Sequence, residues 1–205
     1  MGTDITVFVE KQLSDREWTL YDEPFVHDES YNYPDTPVIP KSIYTGRNYG
    51  LFAILSGCRN GHRTEELFDT IDDPRGVPED MTELAKLVYS DGYHNATWFF
   101  VEEVFDFDWS KTIQRVGYVD EKYAKLFEGN PKGYPADEMR RLQNPNPKPG
   151  EATITSGPST YSVDGVQVRW RESYRDVATH FLEALAPYRC PRNPLSTRVI
   201  MWFSS

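Results

Sequence analysis

Alternation of apolar and polar residues predicts the strands of this chain. Ile5, Val7 and Val9 alternate with Thr6, Phe8 and Glu10, which is the period of a strand with one buried face. A second strand over residues 16–21 follows the short segment 13–15, so the two are predicted to form a hairpin. The remaining predicted strands cover residues 96–100, 112–119, 161–163, 166–170 and 199–203. The last is apolar on both faces, which favours a central buried strand.

One of these strand pairs carries a turn signal of its own. Asp164-Gly165 separates two alternating apolar runs, and this dipeptide favours the tight turn of a β-hairpin. The sequence therefore predicts that residues 161–163 pair with residues 166–170.

Spacings of three and four between apolar residues predict the helices. The clearest stripe covers residues 174–185, and a shorter apolar helix over 47–56 ends at Gly57, a residue suited to a helix C-terminus. Asp80 followed by Glu83 resembles a capping box and predicts a helix that ends at Gly92. Short helices or turns are also predicted over residues 102–107, 120–128 and 137–142.

The order of these elements predicts the fold class. Six or seven strands and four or five helices do not alternate as strand and helix throughout, which disfavours a doubly wound sheet. We therefore predict one α+β domain over residues 1–205, with a mixed or antiparallel sheet of about six strands and several packed helices. Proline-rich segments at 22–42 and 130–151 are predicted as loops inside that domain.

Charge and cysteine content narrow the function classes. The formal net charge of -10 argues against a general nucleic-acid binder, which needs clustered Lys and Arg, and leaves binding of a basic partner open. Cys58 and Cys190 show no zinc-ligand spacing. Neither a signal-peptide pattern nor a membrane-length apolar run is present, so a cytoplasmic protein without membrane contact is expected.

Several short motifs, in order along most of the chain, resemble a family of small proteins common in bacteriophage and scattered in bacteria, whose members often begin Met-Gly-Cys-Asp-Ile-His. The motifs are Met1-Gly2-Thr3-Asp4-Ile5, Arg47-Asn48-Tyr49, residues 51–55, residues 74–78, residues 94–98, Phe107-Asp108-Trp109, residues 173–176 and residues 198–203. The resemblance implies a phage-type accessory role, in host takeover or counter-defence. Thr3 and Thr6 stand where the family often has Cys and His.

Polar side chains near loops and element ends form the candidate site. Guanidinium groups and helix N-termini bind phosphate and carboxylate, so we expect a pocket for a small anionic ligand, such as a nucleotide. The alternative, slightly favoured for any single residue, is that these arginines pair with Asp or Glu and hold loops. The candidate ligand-binding residues are Asp4, Thr6, Arg47, Asn48, Arg59, His62 and Arg75, and the candidate acid–base residue is His94.

Other chemistries have weaker signals. His62-Arg63-Thr64 spells the His-x-Thr motif of metal-free phosphodiesterases, but residues 94–97 miss the second copy by one position. Asp4 with Asp106 or Asp108 could hold Mg²⁺, although no spacing requires it. Cys58 beside Arg59 and His62 is a candidate for a thiolate of lowered pKa.

The leading hypothesis is therefore a phage-type accessory protein of the host cytoplasm that binds a small phosphorylated ligand, such as a signalling nucleotide. Binding alone and binding with hydrolysis both stay open. The alternative is a non-enzymatic inhibitor whose acidic surface blocks a basic host protein. No particular cofactor or oligomeric state is predicted.

Overall fold

A computed structural model of the chain describes residues 2–14, 17–21, 25–26, 39–90, 92–143 and 165–205. Contacts between residues divide the chain into two compact units. The first unit comprises Met1–Asn60, Phe68–Asp108 and Ala178–Ser205, and the second comprises Gly61–Leu67 and Trp109–Val177. The sequence-based assignment of one domain to residues 1–205 stays a prediction.

The described strands are all antiparallel to their neighbours. They are β1 Asp4–Ser14, β2 Glu17–Leu20, β3 Phe25–Val26, β4 Ile39–Pro40, β5 His94–Phe100, β6 Thr112–Val119, β7 Val166–Ser173 and β8 Thr197–Ser204. The helices are α1 Tyr49–Ser56, α2 Glu83–Val88, α3 Val101–Asp106, α4 Glu121–Ala124, α5 Ala136–Gln143 and α6 Tyr174–Leu185. As predicted, strands and helices do not alternate throughout the chain, since β1–β4 all precede α1 and α2, and the α+β class is confirmed.

The first unit is built on a four-stranded sheet in the order β2-β1-β8-β5. Every residue of β8 except Ser204 is buried, because β8 has a strand on each side and apolar side chains on both faces. The prediction of a central buried strand over residues 199–203 is confirmed. The predicted hairpin of the first two strands is confirmed as well, with Glu10 opposite Leu20.

Both faces of this sheet are covered. On one face, the ring of Phe52 in α1 lies 5.0 Å from that of Phe203 in β8. On the other face, Phe8, Ile200 and Trp202 pack with Leu20. The same cluster includes Met81, which precedes α2, and Ala85 of α2. Each face therefore contributes to the core, so the prediction that β1 has a single buried face is wrong.

Helix α2 begins later than predicted. Its N-terminal cap is Thr82, whose side chain makes no capping bond, and the helix starts at Glu83. Asp80 does not cap it, because its carboxylate accepts a hydrogen bond from Arg198 Nη1 at 2.6 Å. The capping-box prediction at Asp80 is therefore wrong.

The second unit is built on the antiparallel pair β6–β7, which aligns Thr112 with Ser173 and Val119 with Val166. Its core packs β6 and β7 against α4, the following turn and α5. The buried members are Val119, Tyr123, Phe127, Met139, Val168 and Trp170. The predicted hairpin across Asp164-Gly165 has its first arm outside the described residues.

The other predicted helices and strands within the described residues agree with the structure in type, whereas segment 22–42, predicted as a loop, contains the short strand pair β3–β4. Helix α6 covers the predicted stripe at residues 174–185, and its residues from Ala178 onward belong to the first unit. Gly57 ends α1 in the left-handed conformation, with φ of 69°, and its N–H donates to the Ala53 carbonyl at 2.8 Å. Among the described residues, no helix combines the length and the apolarity that crossing a membrane requires.

Candidate functional site

Antiparallel pairing brings distant parts of the chain to one end of the first unit's sheet. Asp4 is opposite Ser204, and His94 is opposite Phe203, so β1 and β5 begin where β8 ends. At this end His94 Nε2 lies 3.0 Å from Ser205 Oγ, and Thr3 Oγ1 lies 3.1 Å from the same oxygen. Residues numbered 3, 94 and 205 thus form one polar cluster.

Arg59 joins this cluster from the end of α1. Its Nε donates a hydrogen bond of 2.9 Å to Thr3 Oγ1, and its guanidinium lies 5.6 Å from the centre of the Tyr49 ring. The Tyr49 hydroxyl in turn accepts a bond from the Thr3 backbone N–H at 3.2 Å. The start and the end of α1 therefore both position groups around Thr3.

Asn95 determines which nitrogen of His94 carries a proton. Its Nδ2 donates to the Ser56 carbonyl at 3.1 Å, so its Oδ1 is the atom that faces His94 Nδ1 at 3.0 Å. An amide oxygen only accepts, so Nδ1 must donate. In neutral His94 the other nitrogen, Nε2, is then the acceptor that faces the Ser205 hydroxyl.

The direction of every bond in the cluster follows from that assignment. The Ser205 hydroxyl donates to His94 Nε2, so Ser205 Oγ accepts from the Thr3 hydroxyl, whose oxygen accepts from Arg59 Nε. We call Arg59, Thr3, Ser205, His94 and Asn95 the relay. It is a chain of hydrogen bonds that runs from a cation to the basic nitrogen of an imidazole.

Two relay residues have a left-handed backbone. Arg59 has φ of 58° and Asn95 has φ of 51°. Asn adopts this region readily, whereas for Arg it costs on the order of 1 kcal/mol. Asn95 also lies where the pairing of β5 with β8 shifts between His94 and Thr97, and such bulges redirect side chains. The local backbone is therefore arranged around the relay.

Cys58 lies behind His94 but is not a thiolate site. Its Sγ is 4.0 Å from His94 Nδ1, and the residue is 4% exposed. Burial raises the pKa of the Cys58 thiol, against a smaller opposite effect of Arg59. Arg59 thus lowers this pKa as expected, but burial outweighs it, so the prediction of a Cys58 thiolate with a lowered pKa is wrong.

Arg47 and Asp4 form an exposed bidentate ion pair beside the relay. Arg47 Nε and Nη2 donate to the two carboxylate oxygens of Asp4, each at 2.8 Å, and this bonding raises the pKa of Arg47. The guanidinium lies against Gly2, where a Cβ would come within 2.6 Å of Nη1. Arg47 thus stays close to the start of β1, and Asp4 serves as its partner.

Asn48 and Thr6 have structural positions in the first unit. The Asn48 side chain caps α1, because its Oδ1 accepts a bond from the Leu51 N–H at 3.1 Å. Thr6 is half-buried on β1 and lies opposite Trp202. Asn48 therefore stabilises the start of α1, Thr6 is part of β1, and neither is a member of the relay.

Arg75 lies in the segment between α1 and α2, beside β5, and is held by two carboxylates. Its guanidinium donates to both oxygens of Glu103, at 2.9 and 3.0 Å, and to Asp72 at 3.0 and 3.1 Å. The Glu103 bond is the main reason that the pKa of Arg75 is raised, and the bond from Arg75 lowers the pKa of Asp72. Its backbone N–H donates to Thr97 Oγ1, so Arg75 is not part of the relay.

The structure therefore brings together only some of the predicted site residues. His94 and Arg59 belong to the relay, and the Asp4–Arg47 pair lies beside it, whereas Arg75 lies apart. His62 belongs to the second unit. Thr3, Asn95 and Ser205 were not predicted as site residues. All three lie just outside the ends of predicted strands, and this position could have indicated that they meet at one end of the sheet.

Sequence reasoning also missed a buried ion pair. Arg198 Nε lies 2.7 Å from Glu10 Oε2 across β1 and β8, and the two side chains are 3% and 0% exposed. Glu10 Oε1 accepts the Thr82 N–H at 2.8 Å, and the Arg198 guanidinium lies 4.0 Å from the centre of the Trp18 ring. These contacts fix the sheet to the start of α2.

Comparison of the chain with protein-family models, with curated proteins and with solved structures finds no match. The resemblance to the phage and bacterial family therefore stays a prediction. Within the described ranges, no three or more His, Cys, Asp or Glu side chains are grouped so that they could hold a metal ion.

Proposed function

We propose that the chain binds a small phosphorylated ligand, such as a signalling nucleotide, at the relay, with His94 as the acid–base group. The observation that carries this proposal is the directed chain of hydrogen bonds that starts at Arg59 Nε and ends at His94 Nε2. Hydroxyl, imidazole and guanidinium groups at one end of a sheet match the acceptor oxygens and the negative charge of a phosphate.

Each member of the relay has a distinct role in this proposal. The guanidinium of Arg59 neutralises phosphate charge, and the hydroxyls of Thr3 and Ser205 exchange their mutual bond for bonds to phosphate oxygens. His94 Nε2, kept as an acceptor by Asn95, takes a proton from a ligand hydroxyl or, in hydrolysis, from the water molecule that attacks phosphorus. As the P–O bond to the departing group breaks, His94 gives that proton to the departing oxygen. Asn95 acts through His94 and is a positioning residue.

A role in counter-defence is part of the same proposal. The resemblance to phage proteins supports it, because removal or hydrolysis of a signalling nucleotide would interrupt a nucleotide-dependent host response. The acidic-inhibitor alternative draws its support from the net charge of -10. Binding through charge alone would weaken steeply as salt rises, whereas a shaped phosphate site would tolerate moderate salt better.

A thermal-shift screen tests the proposal. The wild-type chain is heated with AMP, ADP, ATP, GTP and cyclic mono- and dinucleotides, each with and without Mg²⁺. A nucleotide at one hundred times its dissociation constant stabilises the folded state by about 2.7 kcal/mol. Arg59→Gln should lose that gain. Arg192→Gln is the matched control, because it removes the same charge from an exposed residue outside the relay.

Two results of the screen would contradict phosphate binding at the relay. If no nucleotide stabilises the wild-type chain, or if Arg59→Gln and Arg192→Gln bind the same nucleotide equally well, the relay is not a phosphate site. Should the chain instead bind a basic host protein, and should charge reversal of exposed Asp and Glu residues abolish that binding, the acidic inhibitor replaces the proposal.

A further inference from the structure

The sheet of the first unit carries an open groove at the end where β8 begins. Trp18 of β2 lies opposite Gln12 of β1. Two positions before Gln12, Glu10 lies opposite Arg198 of β8, which in turn lies opposite Phe100 of β5. Opposite and alternate residues of paired strands share a face, so side chains from all four strands meet here. The groove over them has a volume of about 760 Å³.

Aromatic rings line this groove. Trp18, Trp98 and Phe100 are half-buried, and all three line it. The Arg198 guanidinium lies 4.0 Å from the centre of the Trp18 ring and 5.8 Å from that of Trp98, so the two indoles flank it. The rings of Trp98 and Phe100 meet edge to face with centres 5.5 Å apart. Leu195, which is 57% exposed, adds further apolar surface. Partly exposed apolar side chains gathered in one groove are typical of an interaction site.

The charged side chains that line the groove, taken with their direct partners, are negative on balance. Arg75 and Arg198 both line it, and each bonds to two carboxylates. Glu79 lines the groove as well and is exposed. Carboxylates therefore outnumber guanidiniums, so this surface repels phosphate and attracts a cation. Charge complementarity favours a basic occupant over a nucleotide.

The direction of the groove indicates how such an occupant is recognised. Its lining comes from β2, β1, β8 and β5, which are neighbours in that order and together span about 14 Å at the usual strand spacing. A peptide that lies across strands cannot extend the sheet through its main chain, so side chains must recognise it. About five residues of a polyproline II helix span the same distance, and their rings dock on aromatic side chains.

We infer that this groove binds a proline-rich peptide segment of a partner protein, with a basic residue beside the prolines. The proline rings pack on Trp18, Trp98 and Phe100, and the basic side chain pairs with Glu79. A polyproline II segment is ordered before it binds, so it loses little conformational entropy in an open groove. The relay lies where β8 ends, so the inference does not depend on the proposed function.

An acetylated peptide of six prolines followed by one arginine is the probe. Calorimetric titration of the wild-type chain gives its dissociation constant, and the indole ¹⁵N signals of the five tryptophans report where it binds. Trp18→Phe and Trp98→Phe identify the signals of the two groove residues. We expect these two signals to shift and that of Trp170, in the second unit, to stay unchanged.

Two variants test the apolar and the charged part of the groove separately. Trp18→Thr removes a ring but keeps a residue suited to a strand, and binding should weaken about tenfold. Glu79→Gln removes one exposed charge, and binding should weaken about threefold. Tyr118→Thr and Glu66→Gln are the matched controls, because they remove an exposed ring and an exposed charge from the second unit. Both should bind the probe like the wild-type chain. Should Trp18→Thr fail to fold, Glu79→Gln decides.

Three results would overturn the inference. The first is no binding of the probe to the wild-type chain. The second is equal binding of a peptide in which glycines replace the prolines or glutamate replaces the arginine. The third is undiminished binding in both groove variants. Tighter binding of a neutral oligosaccharide such as maltohexaose, or self-association that Trp18→Thr abolishes, would also overturn it, because another occupant would then fill the groove. Binding should persist in Arg59→Gln, which separates the groove from the relay.

Discussion

Asn95 Oδ1 accepts a hydrogen bond from His94 Nδ1 at 3.0 Å, while the Asn95 amide is itself fixed to the Ser56 carbonyl at 3.1 Å. One side chain thus sets both the ring orientation and the tautomer of His94. The arrangement places Nε2 of His94 against the Ser205 hydroxyl at the end of the sheet, with the Asn95 amide on the other ring nitrogen.

Two substitutions of Asn95 should separate the effect of its side-chain hydrogen bonds from the effect of its left-handed backbone. Asn95→Gly keeps the left-handed backbone at no steric cost and should destabilise the fold by about 1–2 kcal/mol through two lost hydrogen bonds. Asn95→Ala should cost about 1 kcal/mol more, because Ala is disfavoured at φ of 51°. Urea unfolding gives both values.

Substitution of Asn95 should also change the tautomer of the His94 ring. In the ¹⁵N spectrum of the side chain, Asn95→Gly should show a mixture of tautomers, whereas Asn95→Asp should keep the proton on Nδ1. A wild-type protein that already shows a mixture would contradict the assignment.

The buried pair of Glu10 and Arg198 should be strongly coupled. Either single change, Glu10→Gln or Arg198→Met, should cost about 3–5 kcal/mol of unfolding free energy, because it leaves one buried charge without its partner. The double variant Glu10→Leu/Arg198→Met should cost much less than the sum. The exposed pair Glu83–Lys86 is the control and should contribute less than about 1 kcal/mol. Additive single and double values for Glu10 and Arg198 would rule out the coupling.

The two cysteines should react at different rates. The Cys58 thiol is buried and its pKa is raised, so little thiolate forms near pH 8, whereas Cys190 is partly exposed. A disulfide reagent should label Cys190 first and Cys58 only after unfolding. Simultaneous labelling of both in the folded protein, checked by mass spectrometry of the peptides, would show that Cys58 is accessible.

Glu172 should make the stability of the protein depend on pH. Burial raises its folded-state pKa, Asp176 adds to the rise, and Arg115 opposes it. The folded state therefore holds this proton more tightly than the unfolded chain. The stabilisation is fully present below the ordinary Glu pKa of 4.5 and is lost as pH rises through the folded-state pKa.

Comparison with Glu172→Gln isolates this contribution. From pH 4 to pH 8 the unfolding free energy of the wild-type chain should fall relative to that of the variant, by about 1.4 kcal/mol for a pKa raised by one pH unit. A difference that rises with pH would mean that the ion pair with Arg115 outweighs burial.

Elements with a strong local pattern were predictable from the sequence. The apolar run at 199–203 predicts a central strand because only a strand with neighbours on both sides buries both faces. The stripe at 174–185 and Gly57 after residues 47–56 likewise predict α6 and the end of α1. In each case the deciding information lies within a few neighbouring residues.

The relay was only partly predictable, because long-range pairing creates it. Thr3, His94 and Ser205 meet only because β8 lies between β1 and β5, and the sequence does not give that order. Long-range partners also overrode local signals. Asp80 bonds to Arg198 instead of capping α2, and Arg75 bonds to Glu103 rather than to a member of the relay.

The most direct test of the proposed function is a titration of the wild-type chain with the most stabilising nucleotide from the screen, followed by the side-chain ¹⁵N signals of its four histidines. His94→Asn identifies the signals of His94. We expect the free protein to carry its His94 proton on Nδ1, and we expect the Nε2 signal of His94 to shift on binding, in step with thermal stabilisation. Binding that leaves the His94 signals unchanged would contradict the proposed function.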